Sequence, residues 1–144
     1  TFTPTRLPPS VEMRPLSVSP LSVIISDSHA LSGQSRVSLL EMKDYQFATF
    51  LRGMHTRTMV ERLLHHNNVC IEPHIEVNDT NLILEMVATG NWFSILAPLS
   101  IQNKPGCIAI PISGQEELLS VSILWLKGKS KQMMYNTFID SIIK

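Results

Sequence analysis

Apolar residues along the chain follow two rhythms. The run Leu21-Ser22-Val23-Ile24-Ile25 is rich in β-branched residues and is bounded by Pro20 and by Ser26-Asp27-Ser28, which predicts a buried strand followed by a turn. Gln46–Phe50, residues 93–97 and Cys107–Ile110 predict further short strands, the last two separated by a loop carrying Pro98, Pro105 and Gly106. Weak alternation over residues 119–126 predicts a longer one. A helical rhythm replaces this over residues 56–66. There Met59, Val60, Leu63 and Leu64 share one face, opposite Arg57, Glu61, Arg62 and His65, and Thr56 is a suitable N-cap. Asn67-Asn68 ends that helix, and residues 69–77 supply a strand around Glu72-Pro73. Asn78-Asp79-Thr80 then offers capping side chains to a second helix over residues 80–89, with Leu82, Ile83, Met86 and Val87 at helical spacing and Gly90 at its end. Residues 38–42 read as a single helical turn. Residues 130–144 read as a final helix burying Met134, Phe138, Ile139, Ile142 and Ile143. Before all of these, Pro4, Pro8 and Pro9 make residues 1–14 a strand stub and an extended connector, with Pro15 opening ordered structure.

Strand, helix, strand, helix, strand is the signature of an α/β domain with a mostly parallel sheet covered by helices. In such sheets ligands settle at the carboxyl ends of the strands, where helix amino ends point free N–H groups into a crevice. Thr56 and Thr80 open the two best helices. Around them His55, Thr56, Arg57 and Thr58, with Asp79, Thr80 and Asn81, bring hydroxyls, amides and one guanidinium to two dipole-positive ends, a setting that suits a small anion. The competing reading is that these residues are ordinary caps, each stabilising its helix by about 1 kcal/mol.

Composition narrows the alternatives. At 144 residues and 44% hydrophobic the chain can build a real core, and no internal repeat interrupts it. Twelve basic against twelve acidic residues leave no net charge, so no electrostatic footprint for nucleic acid or anionic lipid is present. The apolar runs are too short for a bilayer. Cys70 and Cys107 make no disulfide framework and fit a reducing compartment equally well. Thr1 reads as a cut end, and no secretory signal is visible. His66, Cys70 and His74 have metal-like spacing, but Asn67-Asn68 and Pro73 break the helix that would align them, so no metal site is read. Ser26-Asp27-Ser28-His29 holds triad residue types without a nucleophile elbow and reads as a turn. No dinucleotide fingerprint, P-loop or zinc-protease motif occurs, no cofactor is implied, and the chain is not read as an enzyme.

Taken in order, several of these patterns resemble the effector-binding domain of LysR-type transcriptional regulators. Leu21–Ile25 followed by Ser28-His29-Ala30-Leu31-Ser32 is similar to that family's strand and "HPLA" turn, and Val37-Ser38-Leu39-Leu40-Glu41-Met42 resembles its "v-x-l-x-d-L" turn. Residues 56–73 resemble its amphipathic helix and the "g-x-x-P" strand after it. Met86-Val87-Ala88-Thr89-Gly90-Asn91-Trp92-Phe93-Ser94-Ile95-Leu96-Ala97-Pro98 resembles its "lVaaGlGiailP" segment. The departures are Ala30 for the usual Pro, Trp92 where Gly is common, and Pro98 one residue late. A bulky Trp92 cannot take the positive φ that Gly adopts cheaply.

The resemblance implies a type II periplasmic-binding-protein-like fold of two lobes, one nearly complete and one partial. By it, residues 1–15 are a remnant of lobe one and the first crossover, residues 16–118 are lobe two, and residues 119–144 form the second crossover and return to lobe one. It further implies a bacterial, cytoplasmic regulator that holds a small effector in an interlobe cleft, an anion being the class that suits Arg57 and the helix amino ends. Closure would pass through a homo-oligomer, dimer or tetramer, to winged helix-turn-helix domains absent from this chain, which alone would touch DNA. Carried over by position, the effector residues are Thr3, Ser17, Thr56, Arg57, Thr58, Thr80 and Asn81. Apolar residues of the last helix, such as Met134, Phe138 and Ile142, would then be exposed unless a partner or a lost segment covers them. A solute-binding protein of a transport system, which shares the architecture, is the alternative.

Overall fold

The computed structural model describes residues 4, 6–128 and 132–142. In chain order the elements are β1 (Val11–Pro20), β2 (Ser22–Ser26), β3 (Gln46–Phe50), α1 (His55–His66), β4 (Ile75–Val77), α2 (Thr80–Ala88), β5 (Trp92–Leu96), β6 (Cys107–Ile110), β7 (Leu118–Leu126) and α3 (Gln132–Ile142). They form two compact units, the larger Ser19–Leu119 and the smaller Thr1–Val18 with Ser120–Lys144.

The larger unit is built on a five-stranded sheet in the order β4-β3-β5-β2-β6. β3 is parallel to both β4 and β5, while β2 is antiparallel to its neighbours β5 and β6, so four strands share one direction and β2 opposes them. Hydrophobic pattern carries no sign of direction, which is why the mostly parallel sheet expected from it lacks this reversal. Every residue of β2 is buried, as a strand with partners on both edges and cover on both faces requires. Alternation sorts the side chains. Ile24, Ala48, Phe50 and Leu96 face α2 and join Ile83, Leu84, Val87 and Cys107 in one core cluster. Phe47 takes the opposite face, where it lines a cavity with Val60 and Leu64 of α1. Helices therefore cover both faces.

Element ends follow local chemistry. Ser38 and Glu41 exchange hydrogen bonds, Glu41 N–H to Ser38 Oγ at 3.3 Å and Ser38 N–H to Glu41 Oε2 at 2.7 Å, a reciprocal capping box that starts the single turn Glu41–Asp44. The strand expected over residues 69–77 is only Ile75–Val77, because Pro73 removes a ladder donor just before it. Trp92 is the first residue of β5, and the left-handed conformation falls on Gly90 (φ +116°), two residues earlier, so the tryptophan needs none.

In the smaller unit β1 pairs with β7 as a two-stranded sheet. The ten-residue strand runs through Pro15 and takes up residues 11–14 of the expected connector; residues 6–10 form no strand, and residues 1–3 and 5, where the stub was expected, lie outside the described residues. A two-stranded ribbon leaves each strand an unpaired edge, which is where a proline fits. Of the residues expected to be buried on α3, Ile139 is, at 3% exposure, whereas Met134, Phe138 and Ile142 are exposed and Ile143 lies outside the described residues. Arg14 of β1 pairs with Asp140 of α3 at 2.8 Å.

Candidate functional site

Phe50 and Val77, the last residues of β3 and β4, stand opposite each other in the register, and Leu51 N–H bonds to Val77 C=O at 2.9 Å. Both strands then feed helices at the same edge of the sheet. After β3 the chain turns through Gly53 (φ +91°) into α1. The N-cap is Met54, in extended conformation and with no side-chain cap, and not Thr56. Met54 packs against the core cluster, which pulls the start of the helix forward. Thr56 becomes its second residue and is buried at 8% exposure, while exposed Thr58 donates its hydroxyl back to Met54 C=O at 3.4 Å.

After β4, Asp79 caps α2 as the pattern predicts, its Oδ1 accepting Asn81 N–H at 2.8 Å. Thr80 is half-buried and Asn81 exposed in the first turn. The two amino ends thus differ in charge. Asp79 already places a carboxylate on the dipole of α2, whereas the N-cap residue of α1, Met54, makes no side-chain cap. Asp79→Ala is expected to lower the unfolding free energy by about 1 kcal/mol, measured by urea denaturation, and an unchanged midpoint would count against the cap.

Arg57 is occupied. Its side chain is 5% exposed, with Nη1 donating to Phe50 C=O at 2.7 Å and lying 3.0 Å from Glu76 Oε1, and Nε 3.0 Å from Glu61 Oε1. The guanidinium ties the amino end of α1 to the last residue of β3 and to β4, and two carboxylates answer its one charge. The guanidinium that the pattern offers to an anion is thus already paired within the chain.

Beyond the helices the edge continues with Pro98 after β5, the start of β2 and the end of β6. Pro20, Leu21, Ser22, Pro98, Ala109, Pro111, Ile112 and Glu116 line a notch of about 240 Å³ there. The hydrophobic pattern points to none of these, because the notch joins segments up to 96 residues apart and depends on the reversal of β2. Thr56, Arg57, Thr58, Thr80 and Asn81 are thus brought to one sheet edge. Ser17 is exposed on β1 in the smaller unit, and Thr3 lies outside the described residues.

At the other end of β2, residues 26–29 form the expected turn, with His29 N–H bonded to Ser26 C=O at 3.1 Å. His29 is 3% exposed and its ring lies 4.5 Å from that of Tyr45. Its Nδ1 accepts Leu31 N–H at 3.1 Å, which places the proton on Nε2, and Nε2 has no acceptor in reach among the described residues. Burial holds this imidazole below its ordinary value of 6.5. A lowered histidine is neutral when folded and gains its proton on unfolding, so stability is full above the unfolded value and falls as pH drops through it. The thermal midpoint is expected to drop more between about pH 7.5 and pH 5.5 than in His29→Asn, and parallel curves would refute this.

Cys70 is exposed and Cys107 buried, both free, and burial raises the Cys107 thiol. His74 Nδ1 accepts Phe47 N–H at 3.0 Å, and His66 faces Glu117. Among the described residues no group of His, Cys, Asp and Glu could hold a metal ion, and no helix is long and apolar enough to cross a membrane.

A mixed sheet with helices on both faces, in an α/β chain of this element order, has the type II periplasmic-binding-like architecture of LysR regulatory domains. The LysR substrate binding domain family matches residues 1–144, and the chain belongs to it. It is 26% identical over 125 residues to YybE of Bacillus subtilis (strain 168), an uncharacterised HTH-type transcriptional regulator; this covers 85% of the chain and 42% of YybE. Among solved structures it resembles the CcmR regulatory domain of Synechocystis PCC6803 in complex with 2-PG, with TM-score 0.76, 22% identity, and 96% and 69% of the two chains covered. It also resembles the effector binding domain of QuiR in complex with shikimate (TM-score 0.72, 18% identity, 94% and 65% covered). The reduced OxyR regulatory domain from Pseudomonas aeruginosa is a third likeness (TM-score 0.75, 21% identity, 96% and 68% covered). At these identities the likeness is one of fold.

Proposed function

We propose that this chain is the ligand-sensing part of a LysR-type transcriptional regulator and that it binds a small organic acid at the carboxyl edge of its larger sheet. The observation that carries the reading is the pairing, on one edge, of an α1 amino end without a side-chain cap and an apolar notch of about 240 Å³. A carboxylate at the first turn of α1 would meet backbone N–H groups and the positive end of the helix dipole. Thr56, Thr58, Thr80 and Asn81 supply hydroxyl and amide partners, the notch takes the carbon skeleton, and Arg57 holds α1 in place. The role is regulatory and not catalytic, the setting cytoplasmic and the working form an oligomer. DNA contact belongs to a helix-turn-helix outside this chain, whose own charge is balanced. The family match and an HTH-type relative favour this over transport.

The test is a thermal-shift screen of hydroxy acids and phosphorylated acids, shikimate among them. A binder at about 100 times its Kd stabilises by about 2.7 kcal/mol, a rise of several degrees. Thr56→Val is expected to abolish that rise. A panel in which no acid raises the midpoint, or in which Thr56→Val responds fully, would overturn the reading.

A further inference from the structure

The carboxyl end of α1 is held as firmly as its amino end, which Arg57 ties to β3 and β4. Asn68, in left-handed conformation (φ +54°), closes the helix as its N–H bonds to His65 C=O at 3.0 Å and Val69 N–H to Leu64 C=O at 3.0 Å, a Schellman arrangement. The C-cap residue, Asn67, does something that closing the helix does not require. Its Nδ2 donates to Leu63 C=O at 2.8 Å and to Gln115 C=O at 2.9 Å, and its Oδ1 accepts Gln115 N–H at 3.0 Å. The side-chain amide thus pairs with the backbone of Gln115 as a neighbouring strand would. Gly114, at φ +102°, leaves the room: a Cβ there would fall well inside contact distance of Asn67 Oδ1.

Two residues on, Glu117 repeats the link. Its carboxylate, 15% exposed, lies 3.2 Å from His66 Nδ1 and 3.9 Å from Arg62 Nη2, both on the last two turns of α1. Its backbone C=O accepts Leu21 N–H at 2.8 Å. Glu117 is followed directly by β7, and Leu21 directly follows β1. The last turns of α1 are therefore bound to the points where both long strands enter the larger unit.

We propose that Asn67, backed by Glu117, is a positioning latch that makes α1 and the roots of β7 and β1 move as one body, so that a shift of α1 at its ligand-facing end reaches those strands. A twelve-residue helix is a stiff rod of about 18 Å, and side chains packed and bonded at both ends transmit its displacement instead of absorbing it. The latch adds a regulatory route to the site proposed above and rests on that reading for its purpose.

Residue-resolved hydrogen exchange of the full chain without ligand tests the latch, so its failure leaves the acid-binding result standing and the reverse holds too. Asn67→Asp keeps the volume but replaces two donors with acceptors. It is expected to raise exchange about tenfold together at Leu63 and Leu64 of α1, at Leu118 and Leu119, and at Leu21, with α2 and β5 unchanged. Gly114→Ala is expected to give the same pattern, and Glu85→Gln, which breaks a surface ion pair with Lys104, to give none of it. Acceleration confined to residues 114–116, or equal acceleration everywhere, would overturn the proposal. Should Asn67→Asp not fold, Glu117→Gln decides on the same amides with a smaller rise, about threefold.

Discussion

Replacing Arg57 with leucine is expected to lower the unfolding free energy by about 3 kcal/mol, read from urea denaturation with an unchanged m-value. The guanidinium serves three acceptors at once, at 2.7, 3.0 and 3.0 Å, and Arg57→Leu strands all of them. Glu61 and Glu76 keep 49% and 36% of their side-chain surface in water and can rehydrate, which holds the cost to the low end for a broken buried pair. Phe50 C=O, on a residue 7% exposed, has poorer access to water and loses its charged donor. Arg57→Lys is the sharper probe. Lysine keeps the charge but not the planar fork, so about 1 to 2 kcal/mol is expected to go while acid binding, if carried by the α1 backbone, changes less than twofold. If acid binding fell tenfold while stability held, Arg57 would be a ligand residue, and its reading as a clamp would fail. A loss below about 1 kcal/mol in Arg57→Leu would fail it as well.

Arg57 also shows where sequence reading stops. Its charge type, its place in the first turn of α1 and Glu61 one helical turn on were all legible. Glu76 and Phe50 C=O were not, because they arrive through the parallel pairing of β3 and β4, and pairing depends on partners far along the chain. The same division runs through the fold. Short strands and both helices of the larger unit were readable because each buries one face or both, which leaves a period in the sequence. The cap of α2 was readable as one of Asn78, Asp79 and Thr80, all capping residue types, and the structure gives the role to Asp79. Thr56 looked equally suitable by residue type, but the packing of Met54, a tertiary effect, moved the cap two residues forward. The direction of β2 left no trace in the pattern, and with it went the notch. On α3 the apolar stripe was plain, yet a stripe says only that a face is apolar, and there the structure leaves Met133, Met134 and Phe138 uncovered.

The largest loss is expected at Phe93, where Phe93→Ala should cost about 4 kcal/mol and Phe93→Leu about 1 to 1.5. Its ring stacks on that of Phe47 at 4.7 Å and 8°, the two residues are directly opposed in β3 and β5, and neither is more than 1% exposed. By size alone the two phenylalanines should be equally costly to truncate. Their surroundings separate them. Phe47 already borders an open cavity of about 410 Å³ beneath α1, so water can enter the space its ring leaves. Phe93 sits on β5 between β3 and β2, opposite Ile25, with 0% exposure; its loss leaves a void that close-packed neighbours cannot fill. Phe47→Ala is therefore expected to cost about 1 kcal/mol less than Phe93→Ala, and equal or reversed costs in chemical denaturation would refute the argument. The comparison also bears on the site, because β5 ends at Leu96, two residues before Pro98, one wall of the notch. Loosening β5 at Phe93 should weaken acid binding along with stability, whereas Phe47→Ala should weaken stability alone.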